Sequence, residues 1–275
     1  MTGILLALLS AFFWATNDIL NKKSLQRGYD ENFVLWIRFP VGTLLLLPAG
    51  IYFWDFNATV LWTTFLWLPL EVVASVFFIK GIKLAPLSVG VPFFAFMPVF
   101  SALFGFLFLG EKIAPPGLLG IGLILAGSFV LSGGSLVTFL KANRGSLYML
   151  LSALLFGGSV VIGKFVVVES DPVFFAWFYC AVMSAGLLPI VGLREILRKE
   201  NYTNPLNVPM GLLFSLGMVS YTLALERTLT SYVASIERLA IVLDVIYGRI
   251  FFGEEISRNF WGALLMVLGA VLLAF

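Results

Sequence analysis

Glu237, Arg238 and Asp244 lie inside one apolar stretch, Ser231–Gly253 (SYVASIERLAIVLDVIYGRIFFG). At 3.6 residues per turn, Glu237, Ile241, Asp244 and Gly248 share a face, and Arg238 stands about 100° from it. Carboxylates there can hold a cationic solute, exchange a proton, or pair with arginine. Ionisable groups at membrane depth are costly and face a bundle interior or a water-filled path. An ion pair between helices explains Arg238 taken alone equally well, but two acids against one base leave a carboxylate for chemistry. Glu71 is a further acid in an apolar run, with Ser75 and Phe78 on its face; its plainer role is to partner Arg38 or Arg238. Ser10, Trp14, Asn17 and Asn21 form another polar face, with Asp18 beside it. Trp14, Phe93, Phe156 and Tyr221 would offer π-faces to an amine, although most of the 28 Phe serve packing and lipid contacts. The expected substrate-binding set is Trp14, Asn17, Glu71, Phe93, Phe156, Tyr221 and Glu237, with Asp18, Arg238 and Asp244 as coupling or ion-pair residues.

Composition excludes other chemistry. The chain has no His and a single cysteine, Cys180. Zinc chemistry of the HExxH kind, a Ser-His dyad and an imidazole relay are therefore absent, and any proton coupling must use carboxylates. No metal site, cofactor or catalytic residue is expected. No GxxxxGK[ST] loop occurs, and the basic residues are scattered rather than clustered, which gives no footprint for nucleic acid. Gly157-Gly158-Ser159 alone is too little to indicate an enzyme acting on lipid.

The elements that must hold these residues are membrane helices. Of 275 residues 60% are hydrophobic and 12% charged, with a mean hydropathy of +1.03. That is a polytopic membrane protein, and at about 20 residues per crossing the length holds roughly ten helices. The N-terminal stretch Gly3–Asn21 lacks a basic leader and recurs in mid-chain, so it reads as a helix of the fold. The second helix, Phe33–Phe53, should break near Pro48, with Arg38 snorkelling to the interface. Pro92 and Pro98 imply a kink in the fourth. Gly120 and Gly127 give the fifth a small-residue face. A Gly/Ser-rich connector, Ser132–Ser146, places the boundary between units 1–140 and 141–275.

The second unit repeats the first. At an offset of 142, Gly3 meets Gly145, Ser10 meets Ser152, Trp14 meets Phe156, Asn17 meets Ser159, Lys22 meets Lys164, Gly120 meets Gly262 and Gly127 meets Gly269. At 143, Ser88 meets Ser231, Gly105 meets Gly248, and Gly110–Ile113 meets Gly253–Ile256. An odd number of crossings per unit puts the two in opposite orientations, a pattern typical of transporters. The fold class expected is therefore an all-α membrane protein, about ten transmembrane helices as two inverted five-helix repeats. Duplicated residues (Gly105/Gly248, Glu111/Glu254) read as scaffold. The buried charges are not duplicated: Glu237 falls opposite Phe94, Asp244 opposite Ser101 and Asp18 opposite Val160.

This pattern resembles the drug/metabolite transporter superfamily, specifically its EamA-type ten-helix members. The likeness spans the chain and is carried by Leu109–Ile113 and Phe252–Ile256, each followed by a Gly-spaced helix, and by Pro98-Val99. Ile241 stands where the second copy would carry proline, so the hinge expected at Pro98 is not expected there. The resemblance implies a cavity lined by helices one, three, four, six, eight and nine, with five and ten peripheral, and secondary transport without ATP.

Lys and Arg number twelve on the connections following odd helices and three on the other side, the remaining two being Arg38 and Arg238. The positive-inside rule then puts both termini outside the cytoplasm of a cell (inner) membrane; the resemblance implies cytoplasmic termini. The sequons at Asn57 and Asn201 read as fortuitous. The expected partners are a small-molecule substrate and the bilayer, and the Gly-spaced faces of helices five and ten suit either a homodimer or packing within one chain. The expected function is secondary transport of a small polar or cationic organic metabolite by alternating access, with proton coupling through carboxylates as an option. The alternatives are an uncoupled facilitator for a neutral or zwitterionic metabolite, a lipid enzyme, and a non-transporting helper subunit.

Overall fold

A computed structural model describes residues 2–85, 93–94, 96–112, 114–131, 144–253 and 259–273, apart from the side chains of 128, 131, 231, 241, 245, 259, 270 and 273. The connector, the 140/141 boundary, Pro92 and Glu254 lie outside this set.

The chain is helical throughout the described residues: α1 (Thr2–Gln26), α2 (Glu31–Tyr52), α3 (Ala58–Leu84), α4 (Met97–Phe104), α5 (Pro115–Leu131), α6 (Arg144–Glu169), α7 (Pro172–Gly186), α8 (Asn207–Arg227), α9 (Thr230–Glu237), α10 (Leu239–Phe252) and α11 (Asn259–Leu273). Five of these, α1, α2, α3, α6 and α8, are long and apolar enough to cross a membrane alone. The seventh crossing bends by 74° into Leu188–Leu197, and α4 ends in a π-helical turn, Gly105–Leu109. With the halved ninth crossing and the shorter apolar helices this is the ten-helix all-α membrane architecture, and the two repeats are legible in its packing.

The repeats pack as mirror roles. α3 lies on α6 as α1 lies on α8, and α4 lies on α6 as α1 lies on α10. The self-related pairs are α2 with α7 and α5 with α11. Polar devices repeat as well. Lys22 Nζ donates to the carbonyls of Ile82 (2.7 Å) and Ala85 (2.9 Å) at the end of α3; Lys164 Nζ donates to those of Leu225 (2.5 Å) and Thr228 (2.9 Å) at the end of α8. A cation on orphan helix-end carbonyls satisfies groups that lipid cannot. Asp30 caps α2 through the N–H groups of Asn32 and Phe33, and Asp171 caps α7 through those of Val173 and Phe174. Gly110 and Gly253 end the fourth and ninth crossings in the left-handed region (φ 65° and 68°), which only glycine adopts without cost.

The small-residue faces of α5 and α11 meet each other within the chain. A Cβ on Gly127 would stand 2.5 Å from the Gly262 carbonyl, and one on Gly269 2.5 Å from that of Gly120. Asn57 caps α3 and donates to the Glu169 carbonyl, and Asn201 is buried against Glu195; both sequons therefore serve the fold.

Two expectations about helix continuity are corrected. α2 runs unbroken through Pro40 and Pro48 to Tyr52, because neighbours seat it: the Trp177 ring of α7 lies where a Cβ on Gly50 would be. The stretch Ser231–Gly253 is two helices rather than one, divided at Arg238 (φ −65°, ψ −13°). There the Arg238 N–H bonds back three residues, to Ser235 (3.0 Å), while its Nε takes the Ala234 carbonyl (3.1 Å) that an α-helical N–H would have used. The break therefore needs no proline. In the first repeat Phe96 (φ −72°, ψ −12°) makes a similar three-residue turn before α4, with Pro98 in the first turn of that helix.

Candidate functional site

Discontinuous membrane helices expose backbone and side chains at mid-depth, where transporters build sites. The interrupted fourth and ninth crossings flank a cavity of about 920 Å³ of empty space, counted out to its mouth. Trp14, Asn17 and Asp18 enter it from α1, Glu71, Ser75 and Phe78 from α3, and Phe156 and Val160 from α6. Phe214, Met218 and Tyr221 enter from α8, and Glu237, Arg238, Ala240 and Asp244 from the ninth crossing; Phe94 and Met97 complete that wall. Arg38 of α2 and Tyr179 of α7 also line it, so helices two and seven join the six that the family resemblance implies.

Two glutamates dominate the polar wall. Both Glu71 oxygens accept hydroxyl hydrogen bonds, one from Ser159 Oγ and one from Tyr179 Oη (2.5 Å). Glu237 accepts from Ser10 Oγ at 3.0 Å through Oε1. Its Oε2 has no hydrogen-bond partner among the described residues and stands 3.7 Å from Arg238 Nη2. Buried polar atoms are normally satisfied; Glu237 Oε2, Trp14 Nε1 and Asn17 Oδ1, all on residues that line the cavity, have no hydrogen-bond partner among the described residues. The aromatic rims are pairs: Trp14 with Tyr221 (5.3 Å between centroids) and Phe94 edge-on to Phe156 (5.8 Å).

Of the expected site residues, Trp14, Asn17, Glu71, Phe156, Tyr221, Glu237, Asp18, Arg238 and Asp244 come together around this cavity. Phe93 does not. It packs in a core cluster with Phe78, Ile82, Ile124, Met149 and Met266, and Phe94, one residue on, faces the cavity instead. Arg38 does not snorkel: it is 6% exposed, with its guanidinium 4.9 Å from the Phe39 ring and 4.8 Å from that of Phe214. Tyr179 was missed altogether, although it is the one tyrosine within α7. The scaffold residues stand apart. Glu111 accepts from Thr230 Oγ1, tying the first repeat to the start of α9; a Cβ on Gly105 would press on that carboxylate at 2.8 Å, and Gly248 is buried within α10.

The model of the EamA-like transporter family matches residues 1–133 and again 143–275. The chain belongs to the EamA-like transporter family. It is therefore a multi-pass membrane transporter of the drug/metabolite superfamily, and the duplicated match falls on the two repeats that the packing relates. No curated protein sequence matches this transporter significantly. A solved crystal structure shares its fold with a TM-score of 0.73 at 16% identity, over 98% of this chain and 95% of the other.

Proposed function

We propose that this EamA-like transporter carries a small cationic or polar organic solute by alternating access, with the solute's positive group on Glu237. The observation that carries the reading is the buried Glu237 Oε2 without a hydrogen-bond partner among the described residues, on a cavity wall that also holds two aromatic pairs. The lining carries four carboxyl groups, Asp18, Glu71, Glu237 and Asp244, against two guanidiniums, Arg38 and Arg238. Two carboxylates in excess take either two protons or one monovalent cation, which suits exchange of two protons for one cation and moves net charge. Trp14, Tyr221 and Phe156 present faces on which an ammonium group gains about 0.5–2 kcal/mol, while the Phe94 ring carries the Arg238 guanidinium at 4.5 Å. Transport of this kind needs no catalytic residue, and the chain acts as a carrier rather than an enzyme.

The charge bias of the loops supports an orientation with both termini outside the cytoplasm of the cell (inner) membrane. The test is flux in proteoliposomes over amines, amino acids and sugars, with and without a pH gradient. An amine whose uptake responds to the gradient is the expected result. A second reading, an uncoupled facilitator for a neutral solute, is favoured by the 3.7 Å approach of Arg238 to Glu237, and flux of sugars or zwitterions indifferent to pH would establish it.

A further inference from the structure

A second, smaller cavity lies beyond Glu71, lined by Trp67, Glu71, Ser159, Gly163, Phe175, Tyr179, Met218 and Tyr221. Its position follows from chain direction. α3 and α7 run away from the face that carries the termini and α6 runs towards it. Trp67 and Phe175 precede Glu71 and Tyr179 by four residues, and Gly163 follows Ser159 by four, so all three lie one turn nearer that face. The main cavity extends the other way, past Ser75 and Phe78 on α3 and Phe156 on α6. Glu71, Tyr179, Met218 and Tyr221 line both cavities. They are the partition between them.

The internal symmetry gives this partition a counterpart. The Lys22 and Lys164 bonds relate α3 to α8 at an offset of 143, and the Asp30 and Asp171 caps relate α2 to α7 at 141. Glu71 then corresponds to Phe214, Tyr179 to Arg38, and Ser159 to Asn17. The contact is preserved but its chemistry is not: Tyr179 donates to Glu71 at 2.5 Å, whereas the Arg38 guanidinium sits 4.8 Å from the Phe214 ring, and its Nε has no hydrogen-bond partner among the described residues. We propose that Glu71, Ser159 and Tyr179 are the gate towards the termini face, and that Phe214, Asn17 and Arg38 are the matching gate towards the opposite face. Here the first is latched by two hydroxyl hydrogen bonds, whereas in the second the Arg38 guanidinium rests on the Phe214 and Phe39 rings under the pull of the Asp18 carboxyl. The two exchange states as the repeats exchange roles. This rests on the alternating-access reading above.

The test uses two thiol reporters in a Cys180→Ala background, since Cys180 is fully buried. Gly163→Cys reports on the small cavity, where a Cβ meets nothing closer than Leu225 at 3.7 Å, and Ala240→Cys reports on the main one. Each is labelled in oriented vesicles with a membrane-impermeant methanethiosulfonate, which needs no transported solute. Tyr179→Phe is expected to speed labelling of Gly163→Cys from the termini face about tenfold, the scale of losing one hydrogen bond to a charged group, and to slow that of Ala240→Cys. Ser159→Ala, which removes the other hydroxyl, is expected to act in the same direction, and Phe214→Ala in the opposite one. Unchanged Gly163→Cys labelling in both Tyr179→Phe and Ser159→Ala overturns the gate, as does a rise at both reporters, which would be a leak. If these shifts occur while no amine is carried, the gate stands and the cation reading falls; amine transport with unshifted labelling sinks the gate alone.

Discussion

Glu71 and Glu237 are two buried glutamates on the wall of one cavity, and their surroundings differ. Glu71 is held from two sides by hydroxyls of α6 and α7, so its oxygens are committed to joining helices. Glu237 sits where the ninth crossing breaks, with one oxygen held by Ser10 and the other open beside Arg238. A carboxylate with its valences filled by protein holds structure, and one left half-open in a low-dielectric cavity is ready for a partner from outside. Under the proposed function, Glu71 is the residue that closes the path and Glu237 the one that meets the solute.

The largest effect should come from Glu237→Gln, which removes the charge while leaving the Ser10 hydrogen bond available. Uptake of a carried amine in proteoliposomes is expected to fall about a hundredfold, the cost of losing a buried charge partner, with the thermal midpoint little changed. A variant that carries amine normally would move Glu237 into the same structural class as Glu71. Next comes Glu71→Ala, which strips α3 of both hydroxyl bonds. It is expected to destabilise by about 2–4 kcal/mol, since two buried hydroxyls lose their acceptor, and a thermal-shift measurement in detergent reads this as a clear fall in midpoint. A normal midpoint would mean that the hydroxyls find other partners.

Lys22→Met and Lys164→Met sharpen the same comparison from the scaffold side. Each removes two hydrogen bonds to helix-end carbonyls, and each should cost about 2–3 kcal/mol. The two costs should match, because the devices are duplicated where the glutamates are not; a large inequality would contradict the symmetric role. The smallest effect belongs to Trp14→Ala, expected to raise the KM of an amine a few-fold through loss of a π-face while leaving that of a neutral solute unchanged.

Much of this was legible in the residues. The duplicated glycines, Lys22 with Lys164 and the Gly-Glu-x-Ile pair gave the inverted repeats, because these residues do local jobs: capping, close approach and left-handed turns. Glu71, Trp14 and Glu237 were legible as polar or aromatic groups on apolar faces. Arg38 was misread because a long side chain near the start of a helix can reach the interface; it stays inside with its guanidinium on the Phe214 ring and under the pull of the Asp18 carboxyl, both on other helices. Phe93 was expected to offer a π-face, but the cavity is lined by Phe94 while Phe93 packs in a core cluster; adjacent phenylalanines carry nothing in the sequence to tell them apart. The break at Arg238 had no proline to announce it, since a side chain taking a carbonyl from its own backbone leaves no mark in composition.

The most direct measurement is current on a solid-supported membrane carrying the reconstituted protein, with a primary amine and its neutral alcohol analogue applied to wild type and Glu237→Gln. The account predicts a current for the amine, none for the alcohol, and loss of the amine current in the variant. An amine current that survives Glu237→Gln, or flux of the alcohol equal to that of the amine, would contradict it.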